Sequence, residues 1–448
     1  MKKIVLTVFL SFLTFPIEAH TLLGNASNLT KGTIPADRIG DGTITPNKLA
    51  SSVHQGTSTV ENDFRNYTAT ADVKIANLIG SKIPTIHIAS NAANLGTADV
   101  LSDFTTGFVQ ALTLLKAAGL THSTTGQGTI VFHEGIYRIS GATIPAGVTV
   151  FCVPGSSVVF TVDETASSSG TIFVIYGTLD GGFIDMSNRP FKGELLKLQS
   201  NGTLKNIVSY GNGGMETIAS GNTSIISVRN STHNFITNIR IRDCLAENSS
   251  ALNAGSGGAL IIHNSTFVHV RQLNISSMSF LQTGDSTIGI YKSNDVRIED
   301  CMFEKVGGAF IAVEGGNLGL NISRNSFYIT QGVNANGIIV ILPAITGTGD
   351  ISTGTVISNN SFYHWQSVDT APLIGVFNST YKTYGVLISD NFARSYTGSA
   401  VLFTNVATNV VGTVYKGNYL SPSMVFITDS GVNTNYTNND NFVGSVEQ

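Results

Sequence analysis

Charge is scarce in this chain. Only 12% of its 448 residues are Asp, Glu, Lys or Arg, and acid exceeds base, 29 against 25, for a formal net charge of −4. That balance argues against the basic patch a nucleic-acid-binding surface needs. Cysteine is nearly absent, with 3 in all, too few for a dense disulfide framework. Tryptophan occurs once, at Trp365. The apolar run Ile4 to Phe15 is too short for a membrane span, and no second run follows it. A phosphate cradle and a nucleotide fingerprint are both missing.

What is abundant is small and uncharged: 47 Gly, and many Asn, Ser and Thr, beside a 42% hydrophobic share. Such residues fill turns and stack between the layers of a solenoid. A short phrase recurs through the C-terminal half. Its clearest copies are Val296-Arg-Ile-Glu-Asp-Cys-Met-Phe303, Leu320-Asn-Ile-Ser-Arg-Asn-Ser-Phe327 and Thr355-Val-Ile-Ser-Asn-Asn-Ser-Phe362. Looser copies centre on Ile241, Ile275, Ile388 and Tyr415. The intervals fall within the roughly 20–50-residue periods of stacked repeats. Inside each copy apolar residues alternate two apart, which is strand periodicity. The polar break then turns the chain, and Phe re-enters the core. One strand, turn and strand per copy, stacked at about 4.8 Å, predicts a parallel β-solenoid.

Read in that register, Cys244 and Cys301 share one turn position, three after Ile241 and Ile298, with Met278 between them. Two layers of separation, about 9–10 Å, exceed the roughly 7 Å Cα limit for a disulfide. Both are expected to be small buried core residues, as is Cys152.

Taken in order, residues 1–19 read as an export signal: Lys2 and Lys3, the apolar run, and Ala19 before His20. Residues 20–85 form an extended stalk or linker, in which Gly32-Thr-Ile-Pro-Ala-Asp-Arg-Ile39 is echoed by Gly42-Thr-Ile-Thr-Pro-Asn-Lys-Leu49. Units that short bury too little surface to fold alone. Residues 86–126 are a connector and a capping helix, with Phe104, Phe108, Ala111, Leu112 and Leu115 at helical spacing, Ser102 or Asp103 as cap and Gly119 as stop. Residues 127–427 are the solenoid, and 428–448 a C-terminal cap or tail.

The helix followed by Gln127-Gly-Thr-Ile-Val-Phe-His-Glu-Gly-Ile-Tyr-Arg-Ile139 resembles the opening segment of the pectate-lyase-like superfamily of right-handed parallel β-helices. That group includes polygalacturonases, pectate lyases and many phage tailspikes. His133-Glu134 stands where the family often has Pro. The resemblance covers about residues 95–440 and specifies fold better than activity. The stalk repeats resemble those of phage tail fibres and related trimeric adhesins. Together these resemblances imply an all-β, right-handed parallel β-helix, an extracellular polysaccharide as partner, and a homotrimer at the cell surface or secreted.

Sites in this superfamily lie on outward columns, one residue per layer. Polygalacturonases use Asn-Thr-Asp, an Asp pair and Gly-His-Gly; neither tripeptide occurs here, and Gly284-Asp285 offers a single Asp. The lyase reading needs clustered carboxylates for calcium. Asp243 and Asp300, two layers apart in this register, are too distant for one ion, so no cofactor and no metal site is assigned. His263 and His269 lack further ligands for zinc. The best candidate is the column Leu281, Glu304, Tyr328, Tyr363 and Arg394, which sets an acid beside two rings, with His364 and Trp365 next in sequence. Glu304 is the first catalytic candidate and Asp285 the second; Tyr328, Tyr363 and Trp365 would face a sugar ring. Arg297 would hold an anionic unit, although Glu299 and Asp300 stand close enough to neutralise the arginines around them. Two functions follow: a secreted protein that binds, and as lyase or hydrolase cleaves, polysaccharide; or a non-catalytic spike, filament or adhesin subunit whose β-helix is a spacer.

Overall fold

The computed structural model describes residues 85–88, 104–117, 128–161, 170–185, 191–212, 215–216, 224–246, 258–280, 286–306, 309–329, 337–342, 352–364, 372–376, 383–395, 401–405, 410–421, 425–429, 435–437 and 440–441. The expected export signal, the stalk repeats, Asp285 and Trp365 lie outside the described residues.

Parallel strands stack in three columns. The first runs from Thr85–Ile88 through Gly128–Phe132 and Val148–Cys152 down to Asn435–Thr437. The second runs from Gly135–Arg138 to Asp440–Asn441. Together they make one 23-stranded sheet, because Thr232–Ala246 and Thr266–Phe280 pass through both. The third column is an 11-stranded sheet between Ala142–Ile144 and Val425–Asp429. This is the parallel β-solenoid the repeat implied, of the right-handed β-helix class that the opening segment resembles.

The repeat phrase explains each layer. In Asn294–Glu299, Val296 and Ile298 are fully buried while Arg297 and Glu299 face out. The next residue takes a left-handed conformation: Asp300, Arg324, Asn359 and Asp390 have φ of 56–58°. That conformation bends the chain into the second column, at about 1–2 kcal/mol for most side chains and less for Asn or Asp. The residue after it points inward. Asn325, Asn360, Asn391 and Asn418 form a buried ladder, each donating through Nδ2 to the carbonyl of Ile298, Ile322, Ile357 or Ile388 at 2.9 Å. Their Oδ1 atoms accept from the backbone N–H one layer earlier, beginning with Cys301. Two residues on, Phe303, Phe327 and Phe362 stack at 5.0 and 4.9 Å. A second buried ladder, Ser231, Ser265, Ser293, Asn317 and Ser352, pins the corner where the third column meets the first.

Two copies of the phrase are displaced from the sequence register. Ile241 pairs with Ile275, which pairs with Phe303 in the second column, whereas Ile298 pairs with Val270. In those two layers the left-handed residues at the bend between the columns are Asn238 and Gln272, followed by Ile239 and Leu273 instead of a polar turn residue, so the phrase matches one strand too late. Cys244 therefore pairs with Met278, which pairs with Val306, and Cys301 heads the Asn ladder; the two do not share a turn position. Cys152 and Cys301 are buried free thiols. Burial pushes both upward, Cys301 to about 12, so neither is a nucleophile near neutrality.

The helix α1 spans Thr105–Ala117; Ser102, Asp103 and Gly119, read as its cap and stop, lie outside the described residues. Phe108, Ala111 and Leu115 are buried against the first layers, and Phe104 meets Tyr137 edge-on at 5.4 Å. Thr105 Oγ1 accepts from the Ser140 N–H at 2.8 Å. The ladder itself extends past the sequence-read limits: Thr85–Ile88 adds a strand before the helix, and both columns continue beyond residue 427.

Candidate functional site

The outer face of the second column carries two parallel rows. One row reads Asp185, Tyr210, Arg242, Ser276, Glu304, Tyr328, Tyr363 and Arg394, each paired with the next. The acid and two rings grouped by sequence are thus neighbours on three successive layers. Ser276, and not Leu281, precedes Glu304; residue 281 was drawn in by the displaced register. Of His364 the strand position alone is described, beside Ile329 and Ser395.

Tyr328 and Tyr363 stack with centroids 5.0 Å apart and planes 11° apart. Each ring gives one face to the other, which stiffens the pair and leaves hydroxyls, edges and outer faces to a ligand. The second row adds what sequence reading missed. At the position occupied by Ser326 and Ser361 in the preceding layers stand Phe392 and Tyr419, 42% and 46% exposed. Phe392 lies 6.1 Å from Tyr363 at 55°, so rings continue over four layers, a rise of about 4.8 Å each. Comparing outward positions two residues before the Tyr row would have found both.

A hydrolytic pair of carboxylates needs a separation of roughly 5–9.5 Å. Along this row the other carboxylate, Asp185, is four layers from Glu304, about 19 Å at the strand spacing. Nearer the start of the row, charge is spent locally: the Arg242 guanidinium lies 5.8 Å from the Tyr210 ring centroid. Among the described residues no group of three metal-ligating side chains converges; His263 and His269 stand on different columns, the third and the first.

Arg297 belongs to the first column, between His269 and Asn321, and is not brought beside Tyr328 and Tyr363. Near it the acids are engaged with Arg271, as expected, and with Arg324 and His269, which the sequence reading did not name. Arg271 Nε and Arg324 Nε each donate to Asp300 at 2.8 Å, and Glu299 Oε2 meets Arg324 Nη2 and His269 Nε2 at 3.1 Å. The hydrogen bond from Arg324, seconded by Arg271, holds the Asp300 carboxyl below its ordinary range. A depressed carboxyl contributes stability that is present above its unfolded value and lost as pH falls through the folded one. The group is partly exposed, so screening keeps that contribution small. Arg324→Met is expected to move the Asp300 titration, followed by NMR, back toward the usual carboxylate range while the unfolding midpoint stays put. An unmoved titration would mean the pair does not form in solution.

No protein-family profile matches the chain, and no curated protein sequence does. Among solved structures, it is similar to a tailspike protein of E. coli bacteriophage HK620 at 14% identity and a TM-score of 0.47, over 81% of this chain and 66% of the tailspike. It thus spans just under two-thirds of the tailspike's length. The Streptococcus pneumoniae surface protein and adhesin PfbA aligns at 12% identity and 0.44, over 78% of this chain and 97% of its own. A polygalacturonase from Erwinia carotovora ssp. carotovora aligns at 11% and 0.46, over 79% and 97%. The fold assignment above rests on this chain's own strand ladder.

Proposed function

We propose that this chain is an exported, surface-exposed polysaccharide-binding protein, and that a glycan lies lengthwise along the second column from Glu304 to Tyr419. The observation that carries this is the register: an acid, two stacked tyrosines and two exposed rings on consecutive layers. A linear ligand running along the coil would meet an aromatic group on each of the four layers after Glu304. Sugar rings present a C–H face that suits an aromatic platform, while Glu304 and Arg394 supply partners for hydroxyls. The residues read as an export signal support secretion. The stalk repeats, too small to fold alone, support assembly as a homotrimer. The distance of about 19 Å between Glu304 and the other carboxylate of its row, Asp185, favours binding over cleavage.

The test is a glycan panel, acidic and neutral, applied to the full chain with affinity and new reducing ends or unsaturated uronates both measured. Phe392→Ala and Tyr419→Ala are each expected to raise Kd about tenfold, the loss of roughly one aromatic contact. Release of new ends that disappears in Glu304→Gln would instead make the column catalytic. Undiminished binding in both ring variants would sink the assignment, and no binding to any glycan would leave the β-helix a spacer.

A further inference from the structure

Toward the amino-terminal end of the coil, between the fifth and fourth layers before Glu304, the turn between the first and second columns changes size. After Val148–Cys152 the chain takes Val153 to Ser157 to reach Val158–Thr161. One layer on, Gly181 and Gly182 alone join Thr178–Asp180 to Phe183–Asp185. Both glycines have positive φ, 89° and 102°. A Cβ on Gly182 would fall 2.9 Å from the Phe160 ring and 3.1 Å from Cys152 Sγ. Only glycine lets the backbone of this turn lie that close to Phe160 and Cys152 at these φ values. The longer turn before it borders the hollow.

The result is a recess of about 340 Å³, with Phe151, Pro154, Phe183 and Val208 on its apolar side and Asp180 and Asn206 on its polar side. The polar side is fixed. Asp180 Oδ1 accepts from Asn206 Nδ2 at 2.6 Å, and Oδ2 faces Lys205 Nζ at 2.9 Å. Asn206 Oδ1 in turn accepts from Asn238 Nδ2 at 2.6 Å. Each carboxylate oxygen keeps a second lone pair, and Lys205 cancels the charge. The volume lies toward the small end of the roughly 300–1,000 Å³ of small-molecule sites.

We propose that this recess binds a single neutral pyranose unit, at a site separate from the aromatic column. Two phenyl rings and a proline match an apolar ring face, and a preset, charge-balanced edge matches hydroxyls. A uronate would set its carboxylate near Asp180. An aromatic side chain from a protein partner would leave the Asp180–Asn206 edge unmatched, which costs free energy. The inference does not depend on the glycan reading of the second column.

Saturation-transfer NMR on the full chain tests it, using neutral methyl pyranosides, a methyl uronoside and N-acetylphenylalanine amide. Asn206 sits at φ 59°, so Asn206→Gly removes the amide without strain; Phe183→Ala removes one ring. A neutral pyranoside is expected to receive saturation, with Kd raised about tenfold in each variant and unchanged in Phe392→Ala. Three results would overturn the proposal: no transfer to any neutral pyranoside, transfer lost only in Phe392→Ala, or binding of the uronoside or the phenylalanine amide as tight as that of the sugar. Circular dichroism of both recess variants checks that the coil is intact.

Discussion

Truncating Phe327 to Ala is expected to destabilise the β-helix by about 3–5 kcal/mol, the cost of deleting a fully buried aromatic side chain and leaving part of its volume empty. Phe327 has no exposed surface and lies between Phe303 at 5.0 Å and Phe362 at 4.9 Å, with Phe310 at 5.9 Å. The backbone of three consecutive layers is held by Asn325, Asn360 and their partners, so the hole has little freedom to close. Layers of a solenoid lean on their nearest neighbours, and the loss should therefore show locally first. Amide exchange around Phe303 and Phe362 should accelerate while that around Val150 does not. Urea unfolding followed by circular dichroism gives the global figure, and Phe327→Leu, which keeps the stack apolar, should lose less. A change below about 1 kcal/mol would mean that the ring is not enclosed.

Replacing Asn360 should do comparable damage by a different route. Its Oδ1 accepts from both the backbone N–H and the Nδ2 of Asn325, and its Nδ2 donates to the Ile322 carbonyl and to Asn391 Oδ1. Asn360→Leu leaves the buried Asn325 N–H without its acceptor, at about 1–3 kcal/mol, and removes the side-chain donor to the Ile322 carbonyl. Asn360→Asp adds a pH dependence. A carboxylate can still accept from Asn325 but cannot donate, and at this depth its neutral form is favoured, so its folded pKa rises. The unfolded chain then releases the proton first, and stability falls as pH climbs from the unfolded value of about 3.9 to the raised folded one. The penalty at pH 7 should exceed that at pH 4, opposite in sign to the behaviour of Asp300. Equal penalties at the two pH values would show that the carboxyl reaches water.

The fold was legible because its main signal is local and repeated. Ile298, Ile322 and Ile357 with Phe303, Phe327 and Phe362 encode strand, turn and strand within eight residues, and the observed pairing joins like to like. Where the signal weakened, so did the reading: Ile239 and Leu273 fill the ladder position with apolar side chains, and no polar turn residue follows the bend that Asn238 and Gln272 make. The row of Glu304, Tyr328 and Tyr363 was recoverable because it sits at a fixed offset from the phrase. Phe392 and Tyr419 were overlooked because two preceding layers place serine at that position. The hollow beside Gly181 and Gly182 was out of reach for a different reason. It arises from a mismatch between successive turn lengths, which no single copy of the repeat contains.

In this molecule height and sequence are measured on separate scales. Val306 and Ala309 bound one connection between the second and third columns, while Ile329 and Ile339 bound the next, yet the strands on either side keep their partners. Residues added in such a connection would change the numbering of everything downstream and displace no ring of the outward rows. One residue added between Met302 and Glu304, inside the strand, would turn Glu304 inward and break the row at that layer. The chain is thus a ruler with rigid gradations and slack between them, and variation can accumulate in the slack while the spacing offered to a ligand stays constant.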